Sequence, residues 1–183
     1  MNFRTPISTM SPSRVTVLAL FAVLVVMRIM MLTPNELSWD VFGYYLYLPA
    51  TFIHHDPLLH DTAWIHELIR ARPEISGTLY QLSTAPDNST PIYFFLMGTA
   101  ICYLPFFLIG HLAALLGAGP ADGFSAPYQI SVAVGCMAYA WIALVHLRRI
   151  LQRYFSEAIT CATIVVIVLG TNYLHFATMK DLE

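Results

Sequence analysis

Long apolar segments alternate with polar ones along this chain, and four of the apolar segments have the length of a membrane span. The first covers residues 15–33, and the others cover 91–117, 128–147 and 158–177. A helix needs about 20 mostly apolar residues to cross the hydrocarbon core of a bilayer. The pattern therefore predicts about four transmembrane helices, the last three of them in a membrane domain over 91–183.

A long polar segment, residues 34–90, separates the first apolar run from the second. Within it, 39–53 and 61–71 have enough apolar side chains to predict two helices that lie in the membrane interface. Asp61 is the expected N-cap of the second helix, because an aspartate side chain readily accepts the first backbone N–H groups. Residues 73–91 are rich in Ser, Thr, Gly and Pro, which predicts irregular structure.

Composition supports a membrane protein and excludes other classes. Hydrophobic residues make up 57% of the 183 and charged residues 11%, a balance typical of an all-α integral membrane protein. The formal net charge of −2 gives no basic surface for nucleic acid. Cys102, Cys136 and Cys161 all lie in apolar runs, so neither a disulfide framework nor a CxxC metal site is indicated. The lipid bilayer is the partner that the composition predicts.

The charges around the first span predict its orientation. Arg4 and Arg14 precede it, whereas the 34–90 segment that follows is rich in acids. Since basic residues favour the cytoplasmic side, residues 1–14 are expected in the cytoplasm and 34–90 on the outer side. The composition fits a bacterial inner membrane, which would make 34–90 a periplasmic loop.

A second basic cluster conflicts with four simple crossings. It follows the third span and consists of Arg148, Arg149 and Arg153. Four plain crossings would leave this cluster outside, against the positive-inside bias. A proline-broken, re-entrant or surface-lying helix over 91–117 would return it to the cytoplasm, so the crossings after residue 91 stay open at this point.

One carboxylate stands in the aromatic stretch 38–49, just beyond the first span. On a helix, Asp40, Gly43, Tyr44 and Tyr47 fall at i, i+3, i+4 and i+7, which is a single face. Asp40 is therefore a candidate catalytic acid at the lipid boundary, with Tyr44 and Tyr47 as substrate-binding residues. The alternative is that Asp40 caps a helix over 41–48, and one residue can serve both purposes.

Three arginines are candidates for holding a substrate phosphate. Arg70 and Arg72 are the two bases of the 34–90 segment, and Arg28 lies near the far end of the first span. A guanidinium stabilises a departing phosphate, so these residues would suit transfer from a polyprenyl phosphate. For Arg28, extension of the side chain to the interface is the simpler explanation, and a pair with Asp40 is the alternative.

The stretch 54–61 is rich in histidine and aspartate and raises the question of a metal. His55, Asp56 and His60 are weak candidate ligands, because imidazole and carboxylate suit zinc or manganese. Their spacing matches no recognised ligand pattern, and interfacial polar residues between two amphipathic helices are the simpler explanation. No cofactor is certain, and a divalent metal is a possibility that the sequence leaves open.

The predicted architecture has one N-terminal span, then a long outer loop with interfacial helices and an acid soon after the span. The chain also carries the segments Trp39-Asp40-x-x-Gly43-Tyr44-Tyr45-x-Tyr47-Leu48-Pro49, Leu104-Pro105-Phe106-Phe107-Leu108-x-Gly110-His111, Asp122-Gly123-Phe124-Ser125-x-Pro127-Tyr128-Gln129 and Gly170-Thr171-Asn172-Tyr173. In its architecture the chain resembles the N-terminal part of the multi-spanning GT-C glycosyltransferases, the class that contains protein mannosyltransferases and aminoarabinose transferases. The four segments resemble those of uncharacterised bacterial members.

The resemblance implies a catalytic acid in the first outer loop, at Asp40. It also implies transfer of a sugar from a polyprenyl-phosphate donor to an acceptor on the outer side of the membrane. Members of the class have more spans than four, so the resemblance leaves two readings open: such an enzyme, or its N-terminal fragment. Two other functions stay open: a non-catalytic accessory or assembly subunit with a membrane protein partner, and a transporter component.

Overall fold

The computed structural model of the chain describes residues 10–31, 35–84 and 91–178. These fall into two compact units. Unit 1 consists of 10–31 and 137–178, and unit 2 consists of 35–84 and 91–136.

The described residues are mostly helical. The helices are α1 (Pro12–Met31), α2 (Trp39–Tyr45), α3 (Tyr47–Phe52), α4 (Ala63–Ala71), α5 (Met97–Ala113), α6 (Ala126–Leu151), α7 (Glu157–Gly170) and α8 (Tyr173–Thr178), with a π-helical turn over Ala114–Ala118 directly after α5. Three helices are long and apolar enough to cross a membrane: α1, α5 together with its π-helical turn (Met97–Ala118), and α6. The prediction of a helical protein with membrane-span helices is confirmed at this level.

The fourth predicted span is interrupted. Over 158–177 the structure has α7, of 14 residues, followed by the short α8. At 1.5 Å per residue α7 is about 21 Å long, which is less than the roughly 30 Å of a bilayer core. Thr171 explains the break, because its hydroxyl donates to Ile167 O at 2.6 Å and accepts from Tyr173 N at 3.2 Å. A side chain that bonds the backbone in this way competes with the helix ladder.

In unit 1, α1 and α6 run in opposite directions. Phe21 of α1 packs on Trp141 of α6 with ring centroids 4.8 Å apart, and Ser13, earlier in α1, accepts a bond from Arg148, later in α6. The buried apolar side chains of the unit come from these helices and from α7. They include Val17, Leu24, Leu144, Ile164 and Val168.

A polar network closes one end of unit 1. The Ser13 hydroxyl is buried and accepts from Arg148 Nε at 2.8 Å and Gln152 Nε2 at 3.0 Å. The backbone N–H of Ser13 donates to Glu157 Oε2 at 3.0 Å, and Gln152 also bonds Glu157. The network therefore joins the start of α1, the end of α6 and the start of α7 at the same end of unit 1.

In unit 2, the predicted helix over 39–53 is two helices, α2 and α3, which meet at Leu46. Pro49 accounts for the interruption, since it has no N–H to donate to the carbonyl of Tyr45. Tyr45 is fully buried, and its hydroxyl donates to Gly123 O at 2.6 Å. The bond fixes this helix pair to the turn that precedes α6.

The remaining loop elements differ in detail from the sequence prediction. Helix α4 begins at Ala63. Asp61 lies two residues before the helix, and its Oδ1 accepts a hydrogen bond from the N–H of Ala63 at 2.9 Å. The segment predicted to be irregular contains an antiparallel pair of strands, β1 (Leu82–Thr84) and β2 (Pro91–Tyr93), with Leu82 opposite Tyr93. Because β2 occupies residues 91–93, α5 begins at Met97 and not at the predicted residue 91.

Helix α5 continues through Pro105 and packs closely on the first half of α6. A Cβ at Gly110 would lie 2.5 Å from Ser131 Oγ and 2.9 Å from the Cα of Tyr128. A Cβ at Gly135 would lie 2.4 Å from the Phe106 ring. Glycine is needed at both positions because the facing atoms occupy the space of any side chain.

Candidate functional site

Asp40 lies exposed in the first turn of α2. Its carboxylate accepts a hydrogen bond from the Tyr80 hydroxyl at 2.7 Å. Helix α2 begins at Trp39 with Ser38 at the N-cap position, so the alternative in which Asp40 is itself the cap is not the arrangement observed. The carboxylate stands at the surface of unit 2, where a substrate can reach it.

An aromatic cluster adjoins Asp40 and is centred on Phe95. A Cβ at Gly43 would lie 2.7 Å from the Phe95 ring, so the ring packs directly on the backbone of α2. Tyr44 meets the same ring edge-on at 4.7 Å, and Tyr47 donates its hydroxyl to Phe95 O at 2.8 Å. The residues predicted to share one helix face with Asp40 thus all contact one phenylalanine.

Two further tyrosines complete the cluster. Tyr93 packs edge-on against Tyr47 at 4.8 Å and bonds Gly43 O. The ring centroid of Tyr80 lies 6.4 Å from that of Phe95. The hydroxyl of Tyr80 donates a hydrogen bond to the Asp40 carboxylate. Burial raises the pKa of Tyr47 and of Tyr93, so both remain neutral hydrogen-bond donors at physiological pH.

Trp39, next to Asp40, has a backbone conformation that non-glycine residues rarely adopt. Its φ angle is 55°. The residue is held there from both sides, because its N–H donates to Ile75 O at 2.7 Å and its carbonyl accepts from Gln81 Nε2 at 3.3 Å. A left-handed residue of this kind costs on the order of 1–3 kcal/mol and is frequent at functional sites. Its effect here is to set the direction in which α2 begins.

Two backbone hydrogen bonds link Arg72 to Trp39, the residue next to Asp40. Ile75, which accepts the N–H of Trp39, donates its own N–H to Arg72 O at 3.0 Å. The guanidinium of Arg72 pairs with Asp122 at 2.8 Å and donates to Phe124 O at 3.3 Å. About a third of the Arg72 side chain stays exposed, at 34%.

A cleft of about 520 Å³ opens beside Arg72. Its polar lining residues are Asn35, Arg72, Glu74, Ser125 and Gln129, and its other lining residues are apolar. The volume is in the usual range for sites that bind small molecules. Gln129 is itself fixed, because its Oε1 accepts from Leu37 N at 2.8 Å and its Nε2 donates to Phe124 O at 3.0 Å.

An apolar groove of about 410 Å³ lies between α5 and α6. Ile109, Gly110 and Val134 are among its lining residues. Ala126 and Ile130 line both the groove and the Arg72 cleft. The Arg72 cleft, which has polar and apolar lining residues, and the apolar groove therefore share a wall in unit 2.

Two predicted arginines lie elsewhere. Arg70 is exposed in the last turn of α4. Arg28 is buried in unit 1, where its NH1 donates to Thr178 O at 3.4 Å. The structure thus gives Arg28 a partner within its own unit.

The histidine-rich stretch forms a local turn. Asp56 accepts from Asp61 N at 2.8 Å and lies 3.0 Å from His60 Nδ1. The N–H of Asp61 lowers the pKa of Asp56. Among the described residues, no three His, Cys, Asp or Glu side chains form a group that could hold a metal ion.

Comparison with models of protein families, with curated proteins and with solved structures finds no match for this chain.

Sequence reasoning missed three residues of the site, namely Tyr80, Tyr93 and Phe95. They lie in the segment predicted to be irregular or in the predicted second span, far along the chain from Asp40. The aromatic run Tyr93-Phe94-Phe95 next to Pro91 is the signal that could have drawn attention to them.

Proposed function

We propose that this protein is a membrane glycosyltransferase that takes a sugar from a polyprenyl-phosphate donor and passes it to an acceptor on the outer side of the membrane. One observation carries the proposal. An exposed carboxylate, a cleft with an arginine and an apolar groove lie in a single unit, and the last two share the side chains of Ala126 and Ile130.

Asp40 would act as the general base. Glycosyl transfer forms a bond between an acceptor oxygen and the anomeric carbon of the sugar, and the acceptor loses a proton in the same step. The carboxylate of Asp40 would take that proton, and its exposure allows an acceptor to approach from water. Tyr80 would hold the carboxylate in position through its hydroxyl.

Arg72 would stabilise the leaving group. When the bond from the anomeric carbon to phosphate oxygen breaks, the oxygen keeps the electron pair and polyprenyl phosphate departs. A guanidinium has five N–H donors, and the described bonds to Asp122 and Phe124 use two of them. The exposed part of Arg72 in the cleft can therefore meet a phosphate.

The apolar groove would receive the lipid. A polyprenyl chain has no polar group along its length, and the groove between α5 and α6 offers it a surface of matching chemistry. Because Ala126 and Ile130 line both sites, a phosphate beside Arg72 would have its chain directed towards α5 and α6.

The test is donor turnover by the full chain reconstituted in liposomes. The donors are a set of polyprenyl-phosphate-linked pentoses and hexoses, and the readout is release of polyprenyl phosphate. We expect Asp40→Asn to lower turnover at least about 100-fold, the usual contribution of a general base. Glu67→Gln, which neutralises an exposed carboxylate of α4, is the matched control and should leave turnover unchanged.

Binding is measured separately, with polyprenyl phosphate and with the polyprenol that lacks the phosphate. The wild-type chain should prefer the phosphate, Arg72→Gln should lose that preference, and Asp40→Asn should keep it. Equal turnover in Asp40→Asn and wild type would disprove the enzymatic role. Absence of turnover with every donor would favour the accessory subunit, and transport of an intact donor would favour the transporter.

A further inference from the structure

We propose that the end of unit 1 where α1 begins binds anionic phospholipids. The ligand is the phosphodiester headgroup of a glycerophospholipid in the adjoining leaflet, and the residues that receive it are Arg14, Arg149 and Arg153, all of them exposed. The three arginines belong to unit 1. The proposal therefore rests on contacts inside one unit and holds whether or not the protein transfers a sugar.

The antiparallel pairing of α1 and α6 brings distant parts of the chain to one end of the unit. Ser13 lies in the first turn of α1, and Arg148 lies in the last turn of α6. Arg148 donates from Nε to Ser13 Oγ at 2.8 Å, and Gln152, four residues later, donates to the same oxygen at 3.0 Å. Residues that are 135 positions apart in the chain thus meet at one hydroxyl.

Each of the three exposed arginines directly follows a member of this buried hydrogen-bond network. The pairs are Ser13–Arg14, Arg148–Arg149 and Gln152–Arg153. The network residues bond one another, and the Ser13 side chain is buried. Successive side chains on a helix differ in direction by about 100°, so a residue that follows an inward one is free to face outward. The network therefore holds the backbone of the three arginines at one end of the unit while their side chains remain at the surface.

The three guanidinium groups carry charge that no acid of the described unit balances. The described residues of unit 1 contain five arginines and one acid, Glu157. That carboxylate is already engaged, because its Oε2 accepts from Ser13 N at 3.0 Å and its Oε1 bonds Gln152. In the described chain, the side chains of the three exposed arginines make no hydrogen bond and no ion pair. A guanidinium stays charged at physiological pH, so this surface attracts anions.

The position of this surface favours a lipid as the anion. Helices α1 and α6 are long and apolar enough to cross a membrane, and the arginines lie at their shared end, where a crossing helix meets the headgroups. Tyr154 and Phe155 follow Arg153 directly and are 76% and 51% exposed. Tyrosine is enriched at the membrane–water interface because its ring is apolar and its hydroxyl is polar. An aromatic ring gains from contact with acyl chains, which a free phosphate ion does not offer.

The chemistry of arginine suits the phosphodiester of an anionic lipid. The fork of N–H groups on a guanidinium binds two phosphate oxygens at once. A basic residue near an anionic membrane surface contributes an attraction that corresponds to about a fivefold change in binding. Three such residues on one surface favour a lipid with net negative charge over a zwitterionic one, whose ammonium group they repel.

Fluorescence quenching by brominated lipids tests the proposal in the full chain. Trp39, Trp64 and Trp141 are replaced by phenylalanine, and Tyr154→Trp supplies the one tryptophan, next to Arg153. This reporter chain is reconstituted in vesicles of phosphatidylcholine that contain increasing fractions of either brominated phosphatidylglycerol or brominated phosphatidylcholine. The ratio of the two quenching constants measures the preference for the anionic lipid.

We expect the reporter chain to prefer brominated phosphatidylglycerol at least about tenfold. Arg153→Gln should lower the preference about fivefold, whereas Arg70→Gln, which removes an exposed arginine of α4 in unit 2, should leave it unchanged. Changing all three arginines to glutamine should abolish the preference, and changing all three to lysine should keep most of it, because lysine retains the charge. About 1 M salt should weaken the preference, since the Debye length falls to roughly 3 Å.

Equal quenching by the two brominated lipids in the reporter chain would overturn the proposal, as would a preference that survives the triple change to glutamine. Displacement of brominated phosphatidylglycerol by polyprenyl phosphate, at a lower mole fraction than unbrominated phosphatidylglycerol requires, would overturn the choice of a glycerophospholipid. If the reporter chain does not fold, native mass spectrometry compares the wild-type chain, the triple glutamine variant and Arg70→Gln by the number of phosphatidylglycerol molecules that each retains. Equal numbers in all three would likewise overturn the proposal.

Discussion

Tyr80 donates its hydroxyl to Asp40 Oδ1 across 2.7 Å, although the two residues are 40 positions apart in the chain. The bond positions an exposed carboxylate beside the aromatic cluster around Phe95. Tyr80→Phe removes the donor and keeps the ring near Phe95. A bond to a charged acceptor contributes about 1.5–3 kcal/mol, so we expect turnover to fall roughly 10- to 100-fold, less than in Asp40→Asn.

Steady-state kinetics with the reconstituted chain measure this effect. A positioning role predicts that kcat falls while KM for the lipid donor is unchanged, since Tyr80 is not among the residues that line the Arg72 cleft. A rise in KM alone would assign Tyr80 to substrate binding instead.

The close approach of α5 and α6 should make Gly110 intolerant of substitution. In Gly110→Ala the new methyl group would clash with Ser131 Oγ and with the backbone of Tyr128. Backbone atoms cannot relieve the clash by a change of rotamer. Overpacking of this kind costs about 1–3 kcal/mol. Thermal unfolding in detergent, followed by tryptophan fluorescence, should show a lower midpoint.

Gly98→Ala is the matched control in the same helix. Nothing lies within 4 Å of a Cβ at that position, so its unfolding midpoint should equal or exceed that of the wild type. Equal midpoints for the two variants would mean that α5 and α6 are not packed as described.

Of the two residues in the Arg72–Asp122 ion pair, Asp122 should contribute more to the free energy of unfolding. Asp122 Oδ1 also accepts from Phe124 N at 2.8 Å and Ser125 N at 2.7 Å, whereas the ion pair itself is about one-third exposed on each side. Removing an aspartate that caps backbone N–H groups costs about 0.5–2 kcal/mol, and a partly exposed ion pair contributes about 0–1 kcal/mol.

We therefore expect Asp122→Ala to lower the free energy of unfolding more than Arg72→Gln does. Asp122→Asn keeps an acceptor for the two N–H groups and should resemble Arg72→Gln. Chemical denaturation of the three variants decides the matter, and an equal loss in all of them would assign the whole effect to the ion pair.

The His54 and Trp64 rings stack at 3.9 Å and make the α3–α4 turn sensitive to acid. Burial lowers the pKa of His54 below 6.5, while Asp61 opposes the shift and His55 adds to it. The unfolded chain therefore takes up a proton before the folded one does. Stability in this turn should be complete above about pH 6.5 and should fall as the pH drops through the folded pKa of His54.

Trp64 fluorescence against pH, in a chain whose other tryptophans are replaced by phenylalanine, reports this titration. His54→Asn should abolish the change between pH 7 and 5. Below about pH 4 a second loss is expected from Asp56, whose pKa is lowered by the N–H of Asp61. A midpoint above 6.5 for His54 would contradict the burial that the stacking implies.

Local patterns in the sequence predict the long helices well. The spans predicted at 15–33 and 128–147 correspond to α1 (Pro12–Met31) and α6 (Ala126–Leu151), because a run of apolar residues without a breaker is helical wherever it is buried in lipid. Pro49 shows the limit of such patterns. This proline lies inside the predicted 39–53 helix. Because it has no N–H to donate to the Tyr45 carbonyl, α2 ends at Tyr45.

The candidate site depends on contacts that no local pattern records. Helical spacing alone predicts that Asp40, Tyr44 and Tyr47 lie on one face, and in the structure Tyr44 and Tyr47 both contact Phe95 although they belong to different helices. Tyr80 and Phe95 reach them across 40 to 50 residues through a strand pair of three residues each, too short to be recognised by alternation. The pairing of Arg72 with Asp122 likewise arises from tertiary structure, since the two lie 50 positions apart.

The polar network at the Ser13 end of unit 1 has a consequence for the order of synthesis. Ser13 bonds Glu157, 144 positions later in the chain, so α1 emerges from the ribosome long before its partner exists. At about 5–20 residues per second, the interval lasts roughly 7–30 seconds. During that time the backbone N–H of Ser13 lacks its Glu157 partner and is open to water or to an insertion factor. Unit 1 can therefore complete its packing only late in synthesis, when the α6–α7 turn forms its hydrogen bonds with Ser13.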